Sequence, residues 1–425
     1  MKKIDGYRQY ELDNGLVVAL QETPTKTIAG KLRVNYGSVH EEKGEEGIAH
    51  FLEHVLSTGG SSRYNKEKSD DTRSRFGYFD AGTSLGRTLF SAGILEEDLR
   101  LFMDFFSDLV FNPCFNPERV DGERRRVLRE ISETKSNPIF KDKQLVKKSF
   151  FRNHPAGYFG LGKENVIANV SIDDLRKFHL RGYHPNNMDL ILVGALPKNI
   201  GDLIEKYFTT KPRGENRRMK FPPFEPLEQK VILHVCAPEL YNNENPEESN
   251  SQVSMAFVAP SDSHEDNFTI SVIEYVLGYG TNSRLYQNLG LQKGLIYSPF
   301  VDHDGSYNAG CFQIGANVPS KRQEEAIDAV FEEFKKFRDK KVSLRELDYV
   351  KKAIKYVVSH KLETNKGYLD IIEKKLDYKW TPESILSAYE AITPEQLREV
   401  AQKYLPEDRE KGKYVLLIRD PLKKE

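Results

Sequence analysis

The second half of this chain repeats the first. Setting His50-Phe51-Leu52-Glu53-His54-Val55-Leu56 against Ser271-Val272-Ile273-Glu274-Tyr275-Val276-Leu277 gives an offset of 221. The same offset pairs Gly59 with Gly280, Ser62 with Ser283 and Arg63 with Arg284. Further on, Ser171-Ile172-Asp173-Asp174-Leu175-Arg176 meets Thr393-Pro394-Glu395-Gln396-Leu397-Arg398 at an offset of 222. Two separated matches at nearly one offset argue for two copies of one folding unit. A length of 425 residues, too long for one ordinary core, agrees with this. Between the copies, Lys211 to Glu228 holds Pro212, Gly214, Pro222, Pro223 and Pro226 amid clustered charge, the composition of a linker. The expected organisation is a first domain over residues 1–210, a linker over 211–228 and a homologous second domain over 229–425.

Each copy mixes strands and helices. Asp13-Asn14-Gly15 is a turn signal between two strand-like runs, so Tyr10 to Leu20 reads as a hairpin. Ile28 to Tyr36 alternates, with Ile28, Leu32, Val34 and Tyr36 on one side, as a half-buried strand does. Phe79 to Ile94 is β-like, and Glu96 to Phe111 is an amphipathic helix ended by Asn112-Pro113. A further helix runs from Asn116-Pro117 to Asn137-Pro138. Ser171 opens another with N-cap chemistry, and Asp189 to Leu196 reads as a buried strand. The fold class expected is α+β, two homologous units that each pack helices on a mainly antiparallel sheet.

One stretch carries chemistry. Gly47 to Leu56 reads as a helix whose His50 and His54, four residues apart, stack on one face and can point at the same ion. Glu53 lies beside that face, within reach of a water on such an ion. Two histidines and a nearby carboxylate are what a catalytic zinc site needs. The order H-x-x-E-H inverts the commoner H-E-x-x-H and occurs in zinc peptidases. In the second copy Ser271 and Tyr275 stand where the histidines were, so only one half can build the site.

A three-ligand site needs one more donor, and the best candidates lie in Glu123-Arg124-Arg125-Arg126-Val127-Leu128-Arg129-Glu130-Ile131-Ser132-Glu133. At about 100° per residue, Val120, Val127 and Ile131 form the buried stripe. Glu123 and Glu130 lie roughly 20° apart at its edge, and Glu133 falls further round toward solvent. Helix geometry alone leaves Glu123 and Glu130 equal candidates.

His50-x-x-Glu53-His54 followed by Glu130 in Arg129-Glu130-Ile131 resembles the pitrilysin, insulinase and mitochondrial processing peptidase family. The resemblance spans nearly the whole chain. It includes Leu12-Asp13-Asn14-Gly15-Leu16, Gly37-Ser38, Leu109-Val110-Phe111-Asn112-Pro113 and Tyr183-His184-Pro185-Asn186-Asn187-Met188. It implies one zinc ion per chain on His50, His54 and Glu130, with Glu53 as general base and Glu123 as a further acidic residue supporting the site. The reaction implied is hydrolysis of peptides or unfolded polypeptide segments. Tyr297 matches a substrate-holding tyrosine of the family, and Asp80 stands where the family usually has a substrate-contacting asparagine. The arginine expected seven residues before that tyrosine is replaced by Gly290. Half-length members work as dimers enclosing a chamber, so a homodimer, with Lys293 as a substitute cation, and a heterodimer with a similar-sized subunit carrying the Arg–Tyr pair are both expected. A non-catalytic assembly or metal-binding subunit is the alternative role.

Composition excludes other classes. A formal net charge of −1 with 30% charged residues offers no basic field for nucleic acid. No stretch approaches the roughly 18 apolar residues of a membrane span. Met1 to Tyr7 lacks the apolar run of a secretory signal. Three widely spaced cysteines, Cys114, Cys236 and Cys311, suggest neither a disulfide framework nor a thiolate metal site, and fit a cytoplasmic location.

Overall fold

In the computed structural model, which describes residues 6–158, 160–216, 221–245 and 248–421, two sheets organise the chain. The Asp13-Asn14-Gly15 turn joins β1 (Tyr7–Glu11) to β2 (Val17–Glu22) in an antiparallel pair that ends with Glu11 opposite Val17. Gly15 takes φ +87°, a left-handed geometry that a side chain would strain. With β3 (Thr27–Val34), β4 (Tyr78–Thr83), β5 (Thr88–Leu95) and β6 (Met188–Gly194) this pair forms a sheet of order β1-β2-β6-β3-β5-β4. The second sheet comprises β7 (Val231–Cys236), β8 (Asn250–Ala259), β9 (Tyr297–Asp304), β10 (Gly310–Pro319) and β11 (Tyr414–Asp420), in the order β7-β11-β8-β10-β9.

Without β1, the two orders match strand for strand. The single parallel pairing also falls at the same place, β2 with β6 and β7 with β11, and all others are antiparallel. The matching helices agree. Helix Ile48–Ser57 corresponds to Asn267–Gly278, and Ile172–Gly182 to Pro394–Tyr404. The latter two each open with a capping box, Ser171 with Asp174 and Thr393 with Gln396. The α+β class is thus established, with two copies of one topology.

The chain forms two compact units. Strands β1–β6 lie in the first and β7–β11 in the second, on either side of the linker, of which residues 217–220, like residues 1–5, lie outside the described residues. The helices follow a different division. The first unit includes Ser359–Thr381, and with it helix Asn365–Tyr378. The second includes Ile139–Tyr158, and with it most of helix Pro138–Phe151. Each half of the sequence therefore supplies a helix to the other half's sheet.

In the first unit one sheet face carries Val18, Leu20, Ile28, Leu32, Leu190 and Leu192 into the main core. The alternate residues Ala19, Ala29, Ile191 and Val193 pack under Tyr368, Leu369 and Ile372 of helix Asn365–Tyr378. The strand expected to be half-buried is therefore covered on both faces, a correction with a clear cause. Arg33, on the second face, is buried against Asp189 and Asp377, and Lys31 reaches Glu373 at 3.1 Å. In the second unit Val146, Phe150 and Phe151 of the supplied helix pack with Leu227, Ala256, Val415 and Leu417.

His179, on helix Ile172–Gly182, is buried with its Nε2 2.7 Å from the Val110 carbonyl, where it must donate a proton. Burial pushes its pKa down to about 4, against the upward pull of that hydrogen bond. A histidine held below its ordinary value contributes stability at neutral pH that is lost as pH falls from about 6.5 toward 4. Replacing it with asparagine should shrink the loss of stability between about pH 7.5 and 4.5 by roughly 3 kcal/mol, read from urea curves at both values. An unchanged acid sensitivity would refute this assignment. Among the described residues, no helix is long and apolar enough to cross a membrane.

Candidate metal centre

Helix Ile48–Ser57 begins without a Ser, Thr, Asp or Asn cap. Its N-cap is Gly47 at φ +102°, packed so closely that a Cβ there would stand 2.7 Å from the Gly162 Cα. Glu41 does the capping from a distance. Its carboxylate oxygens accept from the amides of Gly47 (2.9 Å) and Ala49 (3.0 Å), satisfying donors that the first turn leaves free. Burial pushes the Glu41 carboxyl up, and these two amides pull it down. In the sequence, Gly37 to Glu46 reads only as a polar, acidic loop. The missing local cap is the signal that points to Glu41.

Ile48, Phe51, Leu52 and Val55 anchor the helix in the first unit's core, which fixes the azimuth of both histidines. His50 and His54 approach each other through their Nε2 atoms at 3.1 Å. Glu130, from helix Pro117–Ser136, brings Oε2 to 3.4 Å from His54 Nε2 and 3.8 Å from His50 Nε2. Donors about 2.1 Å from one tetrahedral ion stand roughly 3.4 Å apart, so these atoms surround a point that fits a zinc-sized cation. Among the described residues, this trio is the one cluster of His, Cys, Asp or Glu able to hold a metal.

Geometry separates the two carboxylates that the sequence leaves equal. Glu130 faces the nitrogens that converge, while Glu123 Oε2 lies 3.4 Å from His54 Nδ1, on the far side of that ring. Glu123 is therefore placed to orient the imidazole rather than to meet an ion between the Nε2 atoms. Glu133 is exposed.

The charges suit this division of roles. Burial pushes His50 down to about 3, helped by the His54 charge, so its imidazole is neutral with a lone pair to offer. For His54 burial works downward, but the Glu123 hydrogen bond and the charges of Glu53, Glu130 and Glu123 outweigh it and the net shift is upward. Burial works upward on Glu123, yet its hydrogen bond to His54 holds it below the ordinary carboxylate range. Burial pushes Glu53 up to about 7, with His54 and Arg126 opposing and Glu130 and Asp80 reinforcing. His50 Nδ1 is buried without a hydrogen-bond partner among the described residues, so no polar contact on that side of the ring helps to orient it. Glu123→Gln should weaken zinc binding by about 10- to 100-fold, measured by competition with a chromophoric chelator. An unchanged affinity would rule out the orienting role.

Other expected residues fall elsewhere. Asp80 is exposed on β4, close enough for its charge to act on Glu53. Tyr297 opens β9 in the second unit with 76% of its surface exposed. Gly290 and Lys293 lie in that unit too, and Lys293 pairs with Glu332 at 3.3 Å. The corresponding helix there has Ser271 and Tyr275 in place of the histidines: Ser271 donates to the Asn267 carbonyl, and Tyr275 stacks on Tyr279. Glu274, the counterpart of Glu53, remains, pushed up to about 8 by burial.

A model described as insulinase, peptidase family M16, matches residues 17–161, which hold His50, Glu53, His54, Glu123 and Glu130. A second, described as the peptidase M16 inactive domain, matches residues 169–354. The chain is 24% identical over 421 residues to "uncharacterized zinc protease YmxG" of Bacillus subtilis, covering 97% of this chain and 98% of that one. A similarly named zinc protease of Rickettsia bellii is 24% identical over 403 residues, covering 93% and 91%. Among solved structures, a protease from Helicobacter pylori shares the fold with a TM-score of 0.83 at 21% identity, covering 98% of this chain and 99% of that one. With both halves matched in order by its models, and with relatives aligned end to end, the chain belongs to the insulinase family, peptidase family M16.

Proposed function

We propose that this chain is a zinc-dependent endopeptidase that hydrolyses peptides or unfolded polypeptide segments. The convergence of His50, His54 and Glu130 donor atoms around one point, with Glu53 buried beside them on the same helix as the histidines, carries this reading. When bound, zinc supplies a Lewis acid that polarises a peptide carbonyl and acidifies water. Neutral His50 and His54 and the Glu130 carboxylate would hold it. Glu53 takes a proton at a carboxylate oxygen from the attacking water and passes it to the departing amine nitrogen. A nearby cation favours the carboxylate form, so Glu53 stands ready as a base at neutral pH. Glu123 keeps the His54 ring aimed.

The chain would act as a homodimer or with a similar-sized partner, in a chamber and in the cytoplasm. Support for a partner comes from Gly290, which leaves the guanidinium expected beside Tyr297 to be supplied from elsewhere. The free thiols of Cys114, Cys236 and Cys311 suit a reducing compartment. The alternative, a non-catalytic assembly or metal-binding subunit, is disfavoured because His50, Glu53, His54 and Glu130 are all present within the segment matched by the insulinase model. Metal analysis of the purified chain, with cleavage of a peptide library before and after chelation and zinc repletion, tests the proposal. About one zinc per chain and chelator-sensitive cleavage are expected. Bound zinc without cleavage, either alone or after adding candidate partners, would favour the alternative.

A further inference from the structure

Arg126 sits three residues after Glu123 and four before Glu130, spacings that place all three on one helix face. Going round helix Pro117–Ser136, the buried stripe of Val120, Val127 and Ile131 comes first, then Glu123, then Glu130, and then Arg126 on the solvent side. Its side chain is 65% exposed, and its ion-pair contact, Glu123 Oε2, is 3.8 Å away, beyond hydrogen-bond range. Of the neighbouring arginines, Arg125 and Arg129 are exposed and lie further round the helix from Glu130 than Arg126 does, while Arg124 and Arg119 are committed. Arg124 donates to the carbonyls of Ile167 and Val170, and Arg119 to that of Thr58. Among the described residues the Arg126 guanidinium makes no hydrogen bond. Its charge nevertheless acts on both Glu53 and Glu123, which places it at the rim of the centre. Glu53, Asp80, Glu123 and Glu130 make the remainder of that rim acidic. A guanidinium with free planar donors is the group that receives a carboxylate in two parallel hydrogen bonds.

We propose that Arg126 is a specificity-determining residue that receives a substrate carboxylate at the rim of the metal centre, so that peptides carrying an acidic group near the scissile bond are preferred. The carboxylate comes either from an Asp or Glu side chain or from the free C-terminus of a short peptide. The proposal rests on the peptidase reading above.

Binding to the zinc-loaded, full-length Glu53→Gln chain tests it separately from turnover. The probes are fluorescent peptides in which one Glu, or Gln in its twin, is moved stepwise along a neutral sequence, together with free-acid and amidated C-termini. At one or more Glu positions, or in the free-acid arm, binding should be about fivefold tighter than to the twin. The two arms identify the source of the carboxylate. Adding Arg126→Gln should abolish the difference, and Arg126→Lys should restore part of it. Because Arg126 is exposed, both variants should match their parent in melting temperature and zinc content. No difference in either arm, or one that survives Arg126→Gln, overturns the proposal. If the parent chain cleaves none of the peptides, the peptidase reading is weakened while the anisotropy comparison still decides Arg126.

Discussion

Glu53→Gln leaves zinc in place and reduces peptide cleavage by about 10²- to 10⁴-fold. Glutamine fills the same space on a helix locked into the core by Phe51 and Leu52, so ligand geometry survives. The carboxylate that accepts the proton does not. Stability separates this outcome from simple damage. Burial pushes the Glu53 carboxyl of the metal-free chain up to about 7. A carboxyl that binds its proton more tightly folded than unfolded loses stability as pH rises from about 4.5 through 7. Above that window its charge costs about 3 kcal/mol, a cost that glutamine does not carry. The metal-free variant should therefore melt higher than the metal-free parent near pH 8, with the gap closing by about pH 4. Zinc-loaded variant that still turns over peptides at the parental rate would eliminate Glu53 as the base, and loss of zinc would make it a ligand instead.

Arg33→Met destabilises the first unit by roughly 3–5 kcal/mol. Arg33 is 1% exposed, with Nη2 2.7 Å and Nε 3.1 Å from Asp189 Oδ2 and Nη1 3.3 Å from Asp377. Asn35 donates to the same Asp189 oxygen at 2.8 Å, and Arg87 holds both oxygens of Asp377 at 2.7 and 2.8 Å. Methionine keeps much of the volume but removes the guanidinium from the buried Asp189 carboxylate, and a buried charge stripped of its counter-ion is the costly case. Converting Asp189 to leucine as well should recover most of the loss, because removing both charges avoids that penalty. A single-variant loss below about 1 kcal/mol in urea denaturation would show that the pair is no stronger than a surface ion pair.

The motif helix was legible because its information is local: His50, Glu53 and His54 lie within one turn and a half, and helix spacing fixes which side chains meet. Glu130 was legible only as one of two choices. Whether Glu123 or Glu130 meets the convergent nitrogens depends on how two helices cross, and no spacing within one helix encodes that. The duplication was legible in matches such as Gly59 with Gly280 and Arg63 with Arg284, and the strand order bears it out. The supplied helices were not. Lys31 and Arg33 give β3 a polar second face, which reads as solvent-facing, and their partners Glu373, Asp189 and Asp377 lie far along the chain. Ala19 and Ala29 are small enough to pass unnoticed, yet they form the seat of Tyr368 and Leu369.

The exchange of helices has a consequence for biosynthesis. Every strand of the first sheet has been made once Gly194 leaves the ribosome, but the helix that covers Ala19, Ala29, Ile191 and Val193 begins only at Asn365. At about 5–20 residues per second, translation of the intervening chain takes on the order of ten seconds or more. Throughout that interval the nascent sheet presents an apolar face and the buried charges of Arg33 and Asp189 without their cover. The first unit cannot cover its sheet until Tyr378 has been made, so the unit that carries the candidate metal centre is completed only after strands β7 to β10 of the second have been translated, and it needs protection from aggregation until then.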